Sequence, residues 1–205
     1  MIAHNKSASA RKRWQLVLIA AVFAAPMAAA YLLYYSGWRP DVGRAHGELV
    51  TPPRPVADVE LTALDGKATR FGAFRQRWLL VYFGSGECTS ACERALYQIR
   101  QVIAAQGRQA DRLRGAMVVT DGRALDMLGY QIKDYPEVTV LTGLPVNVTR
   151  LAREFELPAG SALAGLHRIY VVDPLGNLMM SYPADADPSG MRKDLARLLR
   201  ASQVG

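Results

Sequence analysis

The sequence predicts a mixed α/β fold preceded by one transmembrane helix, on three observations. Apolar runs of strand length alternate with amphipathic helical stretches over most of the chain, the pattern of a sheet flanked by helices. One 22-residue stretch near the N-terminus, Trp14 to Tyr35, carries no charge. Both cysteines, Cys88 and Cys92, fall within FGSGECTSACERAL (83–96), directly after one of the apolar runs.

A spanning helix needs about 20 apolar residues, and 14–35 supplies them. Arg11, Lys12 and Arg13 stand directly before it, with Lys6 further out. Trp14 at one end, and Tyr31, Tyr34, Tyr35 and Trp38 at the other, suit the two membrane interfaces. A cleaved signal peptide is the rival reading, with Ala28–Ala30 as a small-residue cleavage site. The apolar run continues past that site as YLLYY, so an uncleaved anchor is expected; Pro26 suits either reading. The basic flank predicts a single-pass protein of the bacterial inner membrane, N-terminus inside, with the C-terminal domain in the oxidising periplasm. The chain is thus expected to divide into a basic cytoplasmic N-terminus (1–13), a transmembrane helix (14–35), a Pro/Gly-rich tether (36–55) and a folded domain (56–205). The tether is inferred from RPDVGRAHGELVTPPRPV, which contains four prolines.

Within the domain, VELTALDGKATRF reads as two short strands around an Asp65-Gly66 turn. WLLVYFG is a continuous apolar run, as a strand buried on both faces would be. A helix is expected over about Thr89–Ala105, with Leu96, Ile99 and Ile103 on one stripe. GAMVVT is a second buried strand, a short helix follows over Ala124–Lys133, and VTVLTG is a third strand. Val148, Leu151 and Phe155 stand at helical spacing. RIYVVD and NLMMSYP form a hairpin around PLGN, and Met191, Leu195, Leu198 and Leu199 line a final amphipathic helix.

The net charge of +7 does not indicate nucleic acid, because Arg is scattered along helix-like stretches such as RQADRLR and MRKDLARLLR. With 50% hydrophobic residues the chain can bury a core without staples, so the cysteines are not needed as a disulfide framework. No GxSxG, P-loop or HExxH pattern occurs. Asp121 and Asp173 lie at strand ends and are expected to serve as capping or turn residues rather than as acid/base groups.

The thiol pair follows the first buried strand and opens the first long helix, where open α/β sheets place their sites. The free N–H groups of a helix start stabilise thiolate, so an exposed, acidic pair is expected. At i and i+4 on one helical face, Cβ atoms lie about 5–6 Å apart. A disulfide wants about 3.5–4.5 Å. A bridge would therefore require the first turn to distort, which argues for a reversible redox pair or two soft sulfurs clasping a metal. Two inert core cysteines are the bland alternative.

The chain has three histidines. His4 is on the cytoplasmic side, His46 lies in the tether, and His167 stands directly before RIYVVD. If that strand neighbours WLLVYFG, His167 reaches the thiols. Two thiolates and one imidazole suit Cu(I), whereas structural zinc wants a fourth ligand. Met179 and Met180 are soft donors too, but within a strand they are expected to pack.

Over about 56–201 the sequence resembles the SCO/SenC (Sco-type) copper chaperones of the thioredoxin-like superfamily. The resemblance is carried by Phe83-Gly84 before Cys88-x-x-x-Cys92, Asp121 after the second core strand, Leu141-Thr142-Gly143 after the third, and His167 before the strand that runs into Asp173-Pro174-x-Gly176. Thr89 and Glu93 stand where the family usually has proline. The resemblance implies a thioredoxin-like fold and one copper ion held by Cys88, Cys92 and His167. It also implies a role in maturing the copper centre of cytochrome c oxidase, by copper delivery or by reducing that centre's cysteines, with an oxidase subunit or another copper protein as partner. Two alternatives stand beside this metallochaperone reading. One is a thiol-disulfide oxidoreductase in which Cys88 attacks and Cys92 resolves; the other is a non-catalytic assembly scaffold.

Overall fold

In the computed structural model, which describes residues 6–36, 45–164 and 166–202, the run WLLVYFG becomes strand β4 (Trp78–Gly84), buried at every position. It pairs in parallel with β5 (Leu113–Val119) and antiparallel with β7 (Arg168–Val172). β6 (Val138–Thr142) continues the parallel set beyond β5. The hairpin of β2 (Glu60–Ala63) and β3 (Ala68–Arg70) closes that side. On the other side β8 (Asn177–Pro183) pairs with β7, and β1 (Glu48–Pro55) pairs with β8, both antiparallel. The eight-stranded sheet runs β1-β8-β7-β4-β5-β6-β2-β3.

Alternate residues of β4 point to opposite faces, which divides the core into two layers. Trp78, Leu80 and Tyr82 pack with both cysteines, with Leu96 and Ile99 of α2 (Ser90–Ala104), with Leu128 of α3 (Leu125–Gln131) and with Met191 and Leu195 of α5 (Pro188–Ala201). Leu79, Val81 and Phe83 pack with Leu151 of α4 (Pro145–Glu154), Phe155 and Tyr170. The expected strands and helices of the domain are all present. Asp173 is the turn residue anticipated for it: its carboxylate accepts from the N–H groups of Leu175 and Asn177 at 2.9 and 2.8 Å.

The N-terminal unit is one helix, α1 (Lys6–Tyr35), continuous through Pro26. Its Arg13–Tyr35 stretch is long and apolar enough to cross a membrane once. His4 and residues 37–44 of the expected tether, Trp38 among them, lie outside the described residues.

The remainder of that tether departs from expectation. Its last eight residues are β1, an edge strand of the sheet. Pairing breaks between Leu49 and Arg54, so Pro52 and Pro53 fall in an irregular stretch that needs no ladder N–H. Two polar anchors hold the segment. Glu48 bridges to the buried Arg168 at 2.7 Å. His46, expected in a free tether, is instead tied to α5: its backbone N–H donates to Asp194 Oδ2 at 2.6 Å, and its Nδ1 lies 3.1 Å from Asp194 Oδ1. Asp194 is buried, and it also accepts from Gly47 N–H and the Tyr182 hydroxyl.

Candidate functional site

β4 ends at Gly84, and after five connecting residues the chain enters α2 at Ser90. A left-handed residue in this connection decides how the cysteines meet. Cys88 has φ +38°, and Thr89, extended at φ −67° and ψ 174°, is the N-cap. Only Cys92 is therefore helical, as the third residue of α2, while Cys88 precedes the cap. The expectation that both cysteines share one helical face is corrected by this turn. It brings the Cα atoms to 5.1 Å, and the two sulfurs are joined as a disulfide without distortion of the helix.

The expectation of an exposed pair is corrected as well. Cys88 and Cys92 are only 4% and 2% exposed. The loop lies over them because Asp121 anchors it. Ser85 Oγ donates to Asp121 Oδ1 at 3.0 Å, and the N–H of Cys88 bonds back to the Ser85 carbonyl at 3.2 Å. Asp121 is itself gripped by the Arg123 guanidinium at 3.1 Å, and that bond holds its carboxyl down at about 2. Gly86 permits the close approach, since a Cβ there would collide with the Arg123 carbonyl oxygen. Asp121 thus has the turn role expected of it, applied to the cysteine loop.

Beneath the disulfide lie two side chains that the sequence reading did not single out for the site. Met117 of β5 is fully buried, with Sδ 4.0 Å from Cys92 Sγ. Tyr82 of β4 is fully buried too, and its hydroxyl lies 2.8 Å from His167 Nδ1, with the two rings stacked. Burial pushes the Tyr82 phenol up to about 12, against a weaker pull from Arg94. Both side chains crowd the place where Gly84 has no Cβ: one there would lie 2.6 Å from Tyr82 and 3.3 Å from Met117. A polar residue inside an otherwise apolar run was the available signal for Tyr82. For Met117 there was none.

His167 precedes β7, which does neighbour β4. The bond to Tyr82 occupies its Nδ1 and leaves Nε2 for another partner. Among the described residues, no three His, Cys, Asp or Glu side chains are gathered so as to hold a metal ion. The structure therefore joins Cys88 to Cys92 and fixes His167 through Tyr82, without closing the three into one cluster in the disulfide form. As a donor set the residues fit a soft cation. Two sulfurs become thiolates on reduction, at a helix start whose N-cap side chain makes no capping bond, and one imidazole nitrogen remains open.

A mixed sheet with a cysteine pair between a central strand and the helix that follows it defines a thioredoxin-like protein. The chain belongs to the transmembrane-like, thioredoxin-like family: the model of that family's C-terminal domain matches residues 78–202, and the transmembrane-like N-terminal domain matches residues 7–37. No curated protein matches the chain by sequence. Solved Sco structures share the fold. Bradyrhizobium japonicum ScoI with copper bound is 20% identical, with a TM-score of 0.56 over 70% of this chain and 98% of that one. Arabidopsis thaliana ScoI with copper bound is 18% identical, with a TM-score of 0.61 over 72% and 99%. BsSco, described as having a disulfide switch and as one of the Sco family of cytochrome c oxidase assembly proteins, is 15% identical, with a TM-score of 0.58 over 75% and 96%.

Proposed function

We propose that this protein is a membrane-anchored, Sco-like thiol-redox and copper-binding factor that assists assembly of the copper centre of cytochrome c oxidase. The observation that carries the reading is the disulfide between Cys88 and Cys92 under a polar loop, with His167 held by Tyr82 just before the neighbouring strand. The basic residues Lys6, Arg11, Lys12 and Arg13 in the first part of α1, ahead of its apolar stretch, favour an N-terminus in the cytoplasm and a domain in the periplasm.

In the cycle proposed, a partner dithiol supplies two electrons. Its thiolate attacks one sulfur of the bridge, a mixed disulfide forms, and the second partner thiol displaces it, leaving Cys88 and Cys92 reduced and the partner oxidised. The free N–H groups at the start of α2 stabilise the resulting thiolates. Copper, the cargo, then takes the two thiolates and His167 Nε2 as ligands. Asp121 and Gly86 keep the loop closed over the sulfurs and exclude water. The reverse flow of electrons, from the dithiol to oxidised cysteines of an oxidase subunit, uses the same pair.

A second reading is a thiol-disulfide oxidoreductase without stable copper, favoured by the Cys88–Cys92 disulfide itself. Complementation separates the readings. In cells lacking this protein, oxidase activity and the copper content of purified oxidase are measured after return of wild type, Cys88→Ser/Cys92→Ser or His167→Ala. Loss with both variants supports copper handling. Loss with the cysteine variant alone supports the oxidoreductase. Full rescue by the cysteine variant leaves a scaffold and overturns both.

A further inference from the structure

We propose that Met117 is a ligand of the copper site, supplying a thioether sulfur to Cu(I) beside the two thiolates; this rests on the copper reading above. Met117 Sδ lies 4.0 Å from Cys92 Sγ, and both atoms belong to the buried layer beneath the cysteine loop. Two sulfurs that share one ion, with metal–sulfur bonds of about 2.3 Å at about 120°, stand about 4.0 Å apart. The spacing in the disulfide form already equals that separation, and the sulfur that must move away on reduction is Cys88 Sγ.

Three features make this more than core packing. The thioether is a soft neutral donor, which selects Cu(I) over harder ions. Gly84 lacks a Cβ where the Tyr82 ring and the Met117 methyl group pack, 2.6 and 3.3 Å from where that atom would stand, so this glycine lets Met117 lie beneath the cysteines. His167, the other candidate donor, has one ring nitrogen committed to Tyr82. The other methionines weighed from the sequence are placed differently. Met180 Sδ accepts the Tyr182 hydroxyl at 2.8 Å. Met179 lines a crevice with Trp78, at the opposite end of β4 from the cysteines.

X-ray absorption at the copper edge, combined with Cu(I) titration against a competing chelator, tests the assignment on the full chain in detergent with the disulfide reduced. Wild type is expected to bind one Cu(I) with three sulfur neighbours. Met117→Leu, which conserves volume, is expected to show two sulfurs and at least tenfold weaker retention. Selenomethionine-labelled protein provides a check without substitution: a copper–selenium contact is expected in wild type and lost in Met117→Leu. An unchanged sulfur count and affinity in Met117→Leu, with no copper–selenium contact in labelled wild type, overturns the assignment and leaves the copper reading intact. Wild type that retains no copper overturns both.

Discussion

The Tyr82 hydroxyl lies 2.8 Å from Nδ1 of His167, a hydrogen bond from the middle of the sheet to the residue just before β7. Tyr82 is fully buried, so this bond fixes the ring and determines which nitrogen faces outward. Tyr82→Phe removes it and leaves a ring nitrogen without its partner. The expected loss of stability is about 1 kcal/mol, read from urea unfolding. Nitrogen NMR of the imidazole is expected to show a mixed tautomer population where wild type shows one.

Three buried tyrosines make the domain sensitive to alkali. Burial pushes Tyr82 and Tyr170 up to about 12, and Tyr182 further, with the Asp194 charge adding to its shift. A free phenol titrates near 10. Below that pH both folded and unfolded chains carry neutral phenols, and the full contribution to stability is present. As pH rises from about 10 towards 12 the unfolded state ionises first and stability falls. The share of the tyrosinate absorbance owed to these three residues, read as the difference from their Tyr→Phe variants, is expected to rise together with loss of the folded circular dichroism signal, rather than ahead of it.

Asp194 anchors the first residues of the domain. Burial raises its carboxyl, but bonds from the His46 ring, the N–H groups of Gly47 and His46, and Tyr182 outweigh that effect and hold it below its ordinary value. Its stabilising effect is complete above the usual carboxylate range and is lost as pH falls through the lowered folded value. Asp194→Ala strands three donors besides the exposed His46 ring, namely the N–H groups of His46 and Gly47 and the Tyr182 hydroxyl, at about 1 kcal/mol or more each. An unfolding free energy lowered by about 3 kcal/mol is expected, with new protease cleavage between Ala45 and Pro55.

The loop over the disulfide is predicted to control its reduction. Asp121→Ala releases Ser85 and Arg123, and Gly86→Ala forces the loop away from the Arg123 carbonyl. Both variants are expected to be reduced by a small dithiol several-fold faster than wild type. Equal rates would show that loop closure does not limit access.

The bridge spans only four residue steps. A loop this short is worth about 2 kcal/mol at most by the chain-entropy argument. Reduction is therefore expected to lower the urea midpoint modestly and leave the domain folded, as a working redox pair requires.

The sheet and helices were legible in the sequence because strand runs such as WLLVYFG are buried on both faces, and helices such as α5 carry one apolar stripe. Cys88, Cys92 and His167 stood out by residue type and position. Three features were hidden for a common reason: they depend on contacts between distant residues. β1 looked like a tether because its prolines contradict a strand, and only its pairing with β8 and the anchors at Arg168 and Asp194 place it in the sheet. The burial of the cysteines depends on Asp121, far along the chain. The positive φ of Cys88 overrode the regular i,i+4 spacing on which the helical-face expectation rested.

Copper retention by the two redox forms tests the account most directly. The protein is prepared with Cys88–Cys92 as disulfide and as dithiol, exposed to Cu(I) under a competing chelator without oxygen, and its bound copper counted. The dithiol is expected to retain one copper and the disulfide none. Equal retention by both forms, or none by either, would contradict a copper site gated by this cysteine pair.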